Sequence, residues 1–554
     1  MNNKISLKIL RRKPIKLEPN KTVKEIFAYT RFKTDLPIFA AKVNNRLVSL
    51  DYVVKFDSYI EPLTYNSKEG ASIYRRSLTH ILVQAIIELY PDVRPVVGQS
   101  ILNGYYYDLK NGPKMTNKIL KNITSKMKSI IKEDRVFKFS RFPVEYACKF
   151  FEEKNYIDKS RLLKYYPRER VDVCICGEFV DIANGPYVPS TKYITAFELY
   201  KYPPGFVLRF PKSKDPFNLA KIKGKERKLF NIYKETREWN EILGLENISD
   251  LNKIINEGDI LEEIMIAEGL HEKKIVKIAD EITKRKNIRL IVIAGPSASG
   301  KTTFAKRLII QLKVNGLRPV QISVDDYFVD REKTPRDEKG DYDFESLGAV
   351  DVKLLNEHLL KLFEGSSVSL PEFNFKKGKQ MLDVKPPLKI DSDQIIILEG
   401  IHGLNEALTP HIPKNIKYKI YVSSLTQLCL DYNNRIFTSD TRLLRRIVRD
   451  AQFRGYTATS TLSRWQSVRR GEAKNIFPFQ EESNVMFNSA LIYEQCVLKL
   501  YAQPQLNRVR PADPNYAEAR RLYDFLDYFL PVFPDDVPQT SILREFIGGS
   551  KFEY

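Results

Sequence analysis

The sequence is poor in cysteine, in long apolar runs and in repeats, and each shortage closes off a class of protein. Five cysteines, Cys148, Cys174, Cys176, Cys429 and Cys496, are scattered through 554 residues. The odd number and wide spacing argue against a disulfide framework. Cys174-Ile175-Cys176 has no second pair at metal-ligand spacing, so these thiols read as packed side chains. The longest apolar runs, such as Leu290–Ala294 and Ile395–Leu398, are far too short to cross a bilayer. Met1–Leu17 alternates charges with short apolar residues and lacks the core of a signal peptide. A cytoplasmic location without membrane contact is the expectation. No internal repeat or low-complexity tract stands out, and no Asn-Lys-x-Asp guanine-reading motif occurs.

What is present is ordinary apolar content, 43% of residues, enough for several packed cores. The length suggests roughly three domains. Residues 1–65 read as a small α+β module, with alternation in Ile5–Ile9, a helix behind a Thr22 cap, and a strand at Ala40–Val43. Residues 66–225 form a second α+β region, ending in the lysine-rich run Lys221–Lys228. Helical periodicity dominates 226–285, a linking or bracing segment. Residues 286–505 alternate strand and helix patterns, and a helical tail over 506–554 carries Pro531, Pro534 and Pro538. The net charge of +21 favours acidic partners, either triphosphates or RNA.

The most specific local pattern is Gly295-Pro296-Ser297-Ala298-Ser299-Gly300-Lys301-Thr302. It fits the phosphate-cradling G-x-x-x-x-G-K-[ST] pattern at every fixed position, behind an apolar strand and ahead of a helical run that opens at Thr303. The glycines let backbone N–H groups turn toward phosphates, Lys301 adds a mobile charge, and the Thr302 hydroxyl suits Mg²⁺. A kinase also needs a base, a magnesium carboxylate and positive charge for the transferring group. Asp325, behind the strand Pro319–Val324, is the candidate base, although paired acids such as Asp325-Asp326 also cap helices. Glu399, ending the apolar run Gln394–Leu398, is the candidate metal carboxylate, although Glu-Gly also serves a turn. Arg442, Arg446 and Arg449 share one helix stripe, which suits either a bound phosphate or pairing with Asp440 and Asp450. Arg454-Gly455-Tyr456 extends this stripe toward a lid.

Together these pieces resemble the uridine kinase and phosphoribulokinase family of P-loop kinases over about 290–490. The resemblance implies ATP and Mg²⁺ as cofactors, with Asp325 and Lys301 catalytic and Thr302 and Glu399 at the metal. It also implies Arg446, Arg449 and Arg454 as phosphate-clamping residues, with Glu345 on the ribose hydroxyls, where a carboxylate can accept from two vicinal donors. Residues 295–303 would hold the nucleotide. Phe373 heads the segment expected to border the acceptor together with Asp325 and Arg446. That segment, Phe373-Asn374-Phe375-Lys376-Lys377-Gly378, lacks the Tyr and His with which uridine-cytidine kinases read a pyrimidine, and a family Arg is here Tyr456.

The first 225 residues carry a second resemblance. Val43–Leu50 with Asp57–Thr64 looks like a TGS domain, and Ser77–Leu82, Glu88–Asp92, Asn103–Asp108 and Gly185–Thr191 resemble the editing domain of threonyl-tRNA synthetases. In that family two histidines, a cysteine and a further histidine form a metal-ligand-like site. Here those positions are Arg76, His80, Ala183 and Tyr187. Arginine cannot lose its proton to ligate and alanine has no donor, so neither a tetrahedral metal nor the editing chemistry is expected.

The expected architecture is multidomain α/β, with a parallel-sheet kinase region behind two α+β domains. The leading functional expectation is a nucleoside kinase acting on a nucleoside-like small molecule. The alternative is a nucleotide-switched protein acting on tRNA or ribosome through its N-terminal half. Assembly with further copies of the chain stays open at this point.

Overall fold

The helix Val23–Tyr29 is fixed by its first turn. The Thr22 hydroxyl accepts from the N–H of Glu25 at 3.2 Å, and the Glu25 carboxylate accepts from the N–H of Thr22 at 2.7 Å. This reciprocal cap is worth roughly 1 kcal/mol. Val23, Ile26 and Phe27 then face a core shared with Leu7, Ile9 and Ile60. The sheet beneath has the order Ile15–Leu17, Ile5–Ile9, Ser58–Thr64, Ile38–Val43, Arg46–Val48. Only the pair Ile5–Ile9 and Ser58–Thr64 runs parallel in it.

This computed structural model describes residues 4–553 apart from 213, 214, 223, 225, 339, 375, 376 and 427. Lys223 and Lys225 of the lysine-rich run, and Phe375 and Lys376 of the acceptor-bordering segment, therefore lie outside the described residues.

In the second region the long helix Lys68–Leu89, capped by Ser67, is buried along most of its length. It packs on an antiparallel sheet ordered Glu198–Tyr202, Gly205–Arg209, Gly104–Lys110, Arg94–Ile101. A three-stranded sheet, Lys138–Pro143, Arg170–Cys176 and Phe179–Ile182, completes the region. Three helices follow, Arg227–Ile242, Ile248–Glu257 and Ile260–Lys284. The last braces the kinase region: Glu268 and Glu272 receive Arg307 at 3.2 and 2.7 Å, and Glu281 accepts from the Tyr418 hydroxyl at 2.9 Å.

The C-terminal half is built on five parallel strands in the order Pro319–Ser323, Ile395–Glu399, Leu290–Ala294, Lys417–Ser423, Val485–Asn488. Leu290–Ala294 and Ile395–Glu399 are buried throughout, as strands covered on both faces must be, which explains their unbroken apolar reading. Register pairs Glu399 with both Ile293 and Ser323. The carboxyl ends of three strands are thus level, where open α/β sheets place their ligands. The chain is mixed α/β, with two N-terminal α+β regions and a parallel-sheet P-loop region.

The expectation of a helical tail holds only in part. Tyr516–Leu526 is helical, but beyond Pro531 the chain keeps only single turns, Pro534–Asp536 and Arg544–Ile547. Proline removes backbone donors and blocks continuation of a helix. The tail is nonetheless built into the interior: one apolar cluster links Val173, Ile264, Ile293, Leu443 and Phe546.

Candidate active site

The phosphate loop is held from outside by close packing and buried ion pairs. Gly295 passes so close to the neighbouring strand that a Cβ would lie 2.0 Å from the Val422 carbonyl oxygen, which only glycine avoids. Behind the loop, Arg442 donates to the Ser297 carbonyl at 2.8 Å and Arg445 approaches the Ala298 carbonyl at 3.5 Å. Both guanidiniums are fully buried, and each is neutralised by a buried carboxylate, Glu472 for Arg442 and Glu494 for Arg445. Glu472 also accepts from the N–H of Ser297 at 3.1 Å. The helix Lys301–Val314 then opens with the N–H groups of its first turn lacking intrahelical acceptors, an anion-binding arrangement.

Several carboxylates and three arginines surround that opening. Lys301 Nζ lies 3.8 Å from Glu399 Oε1, and the Thr302 hydroxyl donates to Glu399 Oε2 at 3.4 Å. Burial pushes the Glu399 carboxyl up to about 7; Lys301 opposes the rise, and Asp325 and Glu545 add to it. Asp325 stands on the short turn Val324–Tyr327, where the Ser323 hydroxyl accepts its N–H at 3.2 Å. Burial raises its carboxyl above the ordinary range, while Lys301, Arg454 and Arg449 pull it back down. Its neighbour Asp326 is turned away to Lys385, at 3.0 Å.

The arginines come from the helix Thr438–Phe453 and its C-cap. Arg446, Arg449 and Arg454 converge on the buried Asp450 at 3.3, 3.0 and 3.8 Å. One carboxylate among three guanidiniums leaves a strong positive excess. Burial and mutual repulsion lower the Arg454 guanidinium to about 10. Arg446 also donates to the Ser297 hydroxyl at 3.1 Å, which ties this helix to the phosphate loop. Glu345, next to Gly471, is pushed up to about 7 by burial, against the pull of Arg446.

Residues 290–491 match the family model described as Phosphoribulokinase / Uridine kinase family. The C-terminal half thus carries a P-loop kinase domain that matches that family over these residues. The N-terminal region is similar to threonine–tRNA ligases: 38% identical over 161 residues to that of Desulforamulus reducens, covering 29% of this chain and 25% of that protein. Threonine–tRNA ligase 2 of Bacillus subtilis is 36% identical over 179 residues, covering 32% of this chain and 28% of that protein. The chain thus spans between a quarter and a third of the length of the curated relatives it matches. Among solved structures, phosphoribulokinase from Rhodobacter spheroides aligns at 20% identity and a TM-score of 0.26, over 37% of this chain and 70% of that one.

Within the kinase domain the structure brings Lys301, Thr302, Asp325, Glu399, Arg449 and Arg454 into one electrostatic cluster, with Ser297, Arg446 and Glu345 beside it. Three expectations need correction. Arg442 does not share the open stripe with Arg446 and Arg449, because a buried guanidinium requires a partner and takes Glu472. The suggested pairing with Asp440 also fails, since Asp440 is held by Arg521 at 2.6 Å. Phe373 does not present its ring to an acceptor: it packs on Phe328, at 5.7 Å between ring centres, inside the core with Tyr327 and Leu398. In the strand Glu372–Asn374 only Phe373 is apolar, and it is the residue that is buried.

Pairing with Asp450, four residues after Arg446 on one helix, was the alternative the sequence offered, and the structure shows it. Sequence reasoning missed Glu472, Arg445, Glu494 and Glu545, which meet their partners only through tertiary packing.

In the synthetase-like region Arg76, His80, Ala183 and Tyr187 do come together, but as packing. Arg76 donates to the Pro186 carbonyl at 2.6 Å, and His80 lies among the rings of Phe137, Phe179 and Tyr187. Burial lowers His80 to about 3, so it is neutral. Beside it Lys159, fully buried, pairs with Asp181 at 2.5 Å and with Asp431, from the kinase domain, at 3.0 Å. A kinase loop is therefore seated in the synthetase-like half.

Proposed function

We propose that this protein is an ATP- and Mg²⁺-dependent kinase that transfers the γ-phosphoryl group to the 5′-hydroxyl of a nucleoside or related ribosyl alcohol. The observation that carries the reading is that Asp325, just past the level carboxyl ends of the strands, lies within the electrostatic reach of Lys301, Arg449 and Arg454. Asp325 accepts the proton of the attacking hydroxyl. Lys301 and the first-turn N–H groups bind the phosphates, and Arg446, Arg449 and Arg454 neutralise charge on the transferring group, the electrostatic work that dominates phosphoryl transfer. Glu345 accepts from the acceptor's hydroxyls.

The oxygen donors of Thr302 and Glu399 fit Mg²⁺: they lie 3.4 Å apart, and the carboxylate is buried with Lys301 3.8 Å away. Thr302 and Glu399 would hold the ion, which would supply positive charge beside the phosphates.

The acceptor's base is left open by the departures at 373–378. A screen of nucleosides and related alcohols with ATP, with the phosphorylated product detected by mass, tests the reading. Product from at least one ribosyl alcohol, lost in Asp325→Asn, is expected. A second reading, a nucleotide-switched RNA-binding protein, draws on the similarity of the N-terminal region to threonine–tRNA ligases and on the net charge of +21. ATP turnover indifferent to every alcohol but raised by tRNA would favour it instead.

A further inference from the structure

The C-terminal segment reaches across the molecule into the phosphate cradle. Glu545 Oε2 accepts from the Thr303 hydroxyl at 2.7 Å and from the Thr303 N–H at 3.2 Å. Thr303 directly follows the Gly-Lys-Thr of the phosphate loop, on the first turn of the loop's helix. Its donors belong to the set that a phosphate at this helix end would use. A side-chain carboxylate therefore stands where an anionic ligand belongs.

The segment is built to deliver that carboxylate. Residues 539–551 close on themselves: the Gln539 carbonyl accepts from the Lys551 N–H at 3.1 Å and from the Ser550 hydroxyl at 3.4 Å. Ile542 and Phe546 pin the loop to the domain, both with no exposure. Phe546 lies 5.0 Å beneath the Arg445 guanidinium that supports the phosphate loop. Ile542 sits so close to Gly300 that a Cβ there would come within 2.4 Å of its methyl group. Gly300 needs that freedom twice, since its φ is also +80°. Beyond the turn, Gly548 and Gly549 both take positive φ, and the chain reverses.

We propose that residues 539–551 are an autoinhibitory strap whose Glu545 carboxylate competes with nucleotide phosphate for the Thr303 donors. This rests on the reading of the loop as the ATP site. Two anions cannot share one N–H and one hydroxyl, so ATP enters by displacing Glu545, and the strap loosens as it does. The strap thus sets the ATP concentration at which the kinase domain fills.

Direct ATP binding by the full-length protein, without any acceptor, tests this apart from catalysis. Glu545→Ala is expected to bind MgATP about tenfold more tightly than the unsubstituted chain, equivalent to about 1.4 kcal/mol. Glu545→Gln, which keeps the shape but drops the charge, is expected to fall between them. In the unsubstituted chain, hydrogen exchange of the backbone amides at 541–548 is expected to speed up when MgATP saturates. Unchanged or weaker binding in Glu545→Ala overturns the proposal, and so does equal or slower exchange in the saturated protein. Tight binding with no strap effect sinks the strap alone, whereas no ATP binding by any form sinks the nucleotide-site reading and the strap with it.

Discussion

Replacing Glu472 by alanine probes how the phosphate loop is held. Glu472 is fully buried, and it neutralises Arg442, itself 1% exposed, while accepting from the N–H of Ser297 at 3.1 Å. Removing one member of a buried ion pair strands the other, at a cost of about 3–5 kcal/mol, and the lost loop hydrogen bond adds about 1 kcal/mol. Against a typical total stability of about 5–15 kcal/mol, such a loss is large. Urea unfolding followed by tryptophan fluorescence should show the midpoint falling at unchanged slope. The double substitution Arg442→Met with Glu472→Leu separates the two contributions. Apolar residues of similar volume replace a buried pair at little or no net cost, so most of the stability should return. ATP affinity should not return, because Arg442 also holds the Ser297 carbonyl at 2.8 Å. A Glu472→Ala protein less than 1 kcal/mol weaker than the parent, or a double variant with full ATP affinity, refutes this account of the loop.

Other perturbations follow from the same geometry. Asp325→Asn should lower phosphoryl transfer by roughly 10²–10⁴, the span of general-base contributions, while calorimetry finds ATP affinity nearly unchanged. Because burial raises the Asp325 carboxyl while Arg454 pulls it down, the base is lost as pH falls through a value above the ordinary aspartate range. Arg454→Met should move that acid limb of the kcat profile to still higher pH, and a limb that stays put argues against contact between the two groups. Glu399 titrates near 7 and must be ionised to hold a metal, so the Mg²⁺ concentration for half-maximal rate should rise as pH drops from 8 to 6. With Arg76, Ala183 and Tyr187 around a neutral His80, elemental analysis should find well under one zinc per chain.

The parts legible in the sequence were those whose chemistry is local. The phosphate loop declares itself through fixed residues between an apolar strand and a helix, and Thr22 with Glu25 declares the first helix within four positions. The placement of Glu399 was readable as the end of a buried parallel strand with a short unbroken apolar run, and that of Asp325 as the first acid behind the edge strand Pro319–Ser323. The arginine helix was only half readable. Its stripe is visible at i, i+4 and i+7, but which guanidinium is free depends on Glu472, which lies on the next helix. Phe373 shows the same limit, since nothing in its immediate neighbours tells that Phe328 will cover its ring. Glu545 lies 242 positions from Thr303, so no periodicity could join them. The tail over 506–554 was expected to be helical, and its apolar residues, such as Leu526, Ile542 and Phe546, prove to be core.

The central claim is that one pocket joins a triphosphate grip, a proton acceptor and an arginine clamp. Single-turnover transfer from γ-labelled ATP to a nucleoside panel tests it most directly, run in parallel on the unsubstituted chain and Asp325→Asn with ATP affinity measured on the same samples. The account expects labelled nucleoside monophosphate from the unsubstituted chain, transfer slowed by roughly 10²–10⁴ in Asp325→Asn, and equal ATP binding by both. Equal transfer by both proteins, or loss of ATP binding in Asp325→Asn, would contradict it.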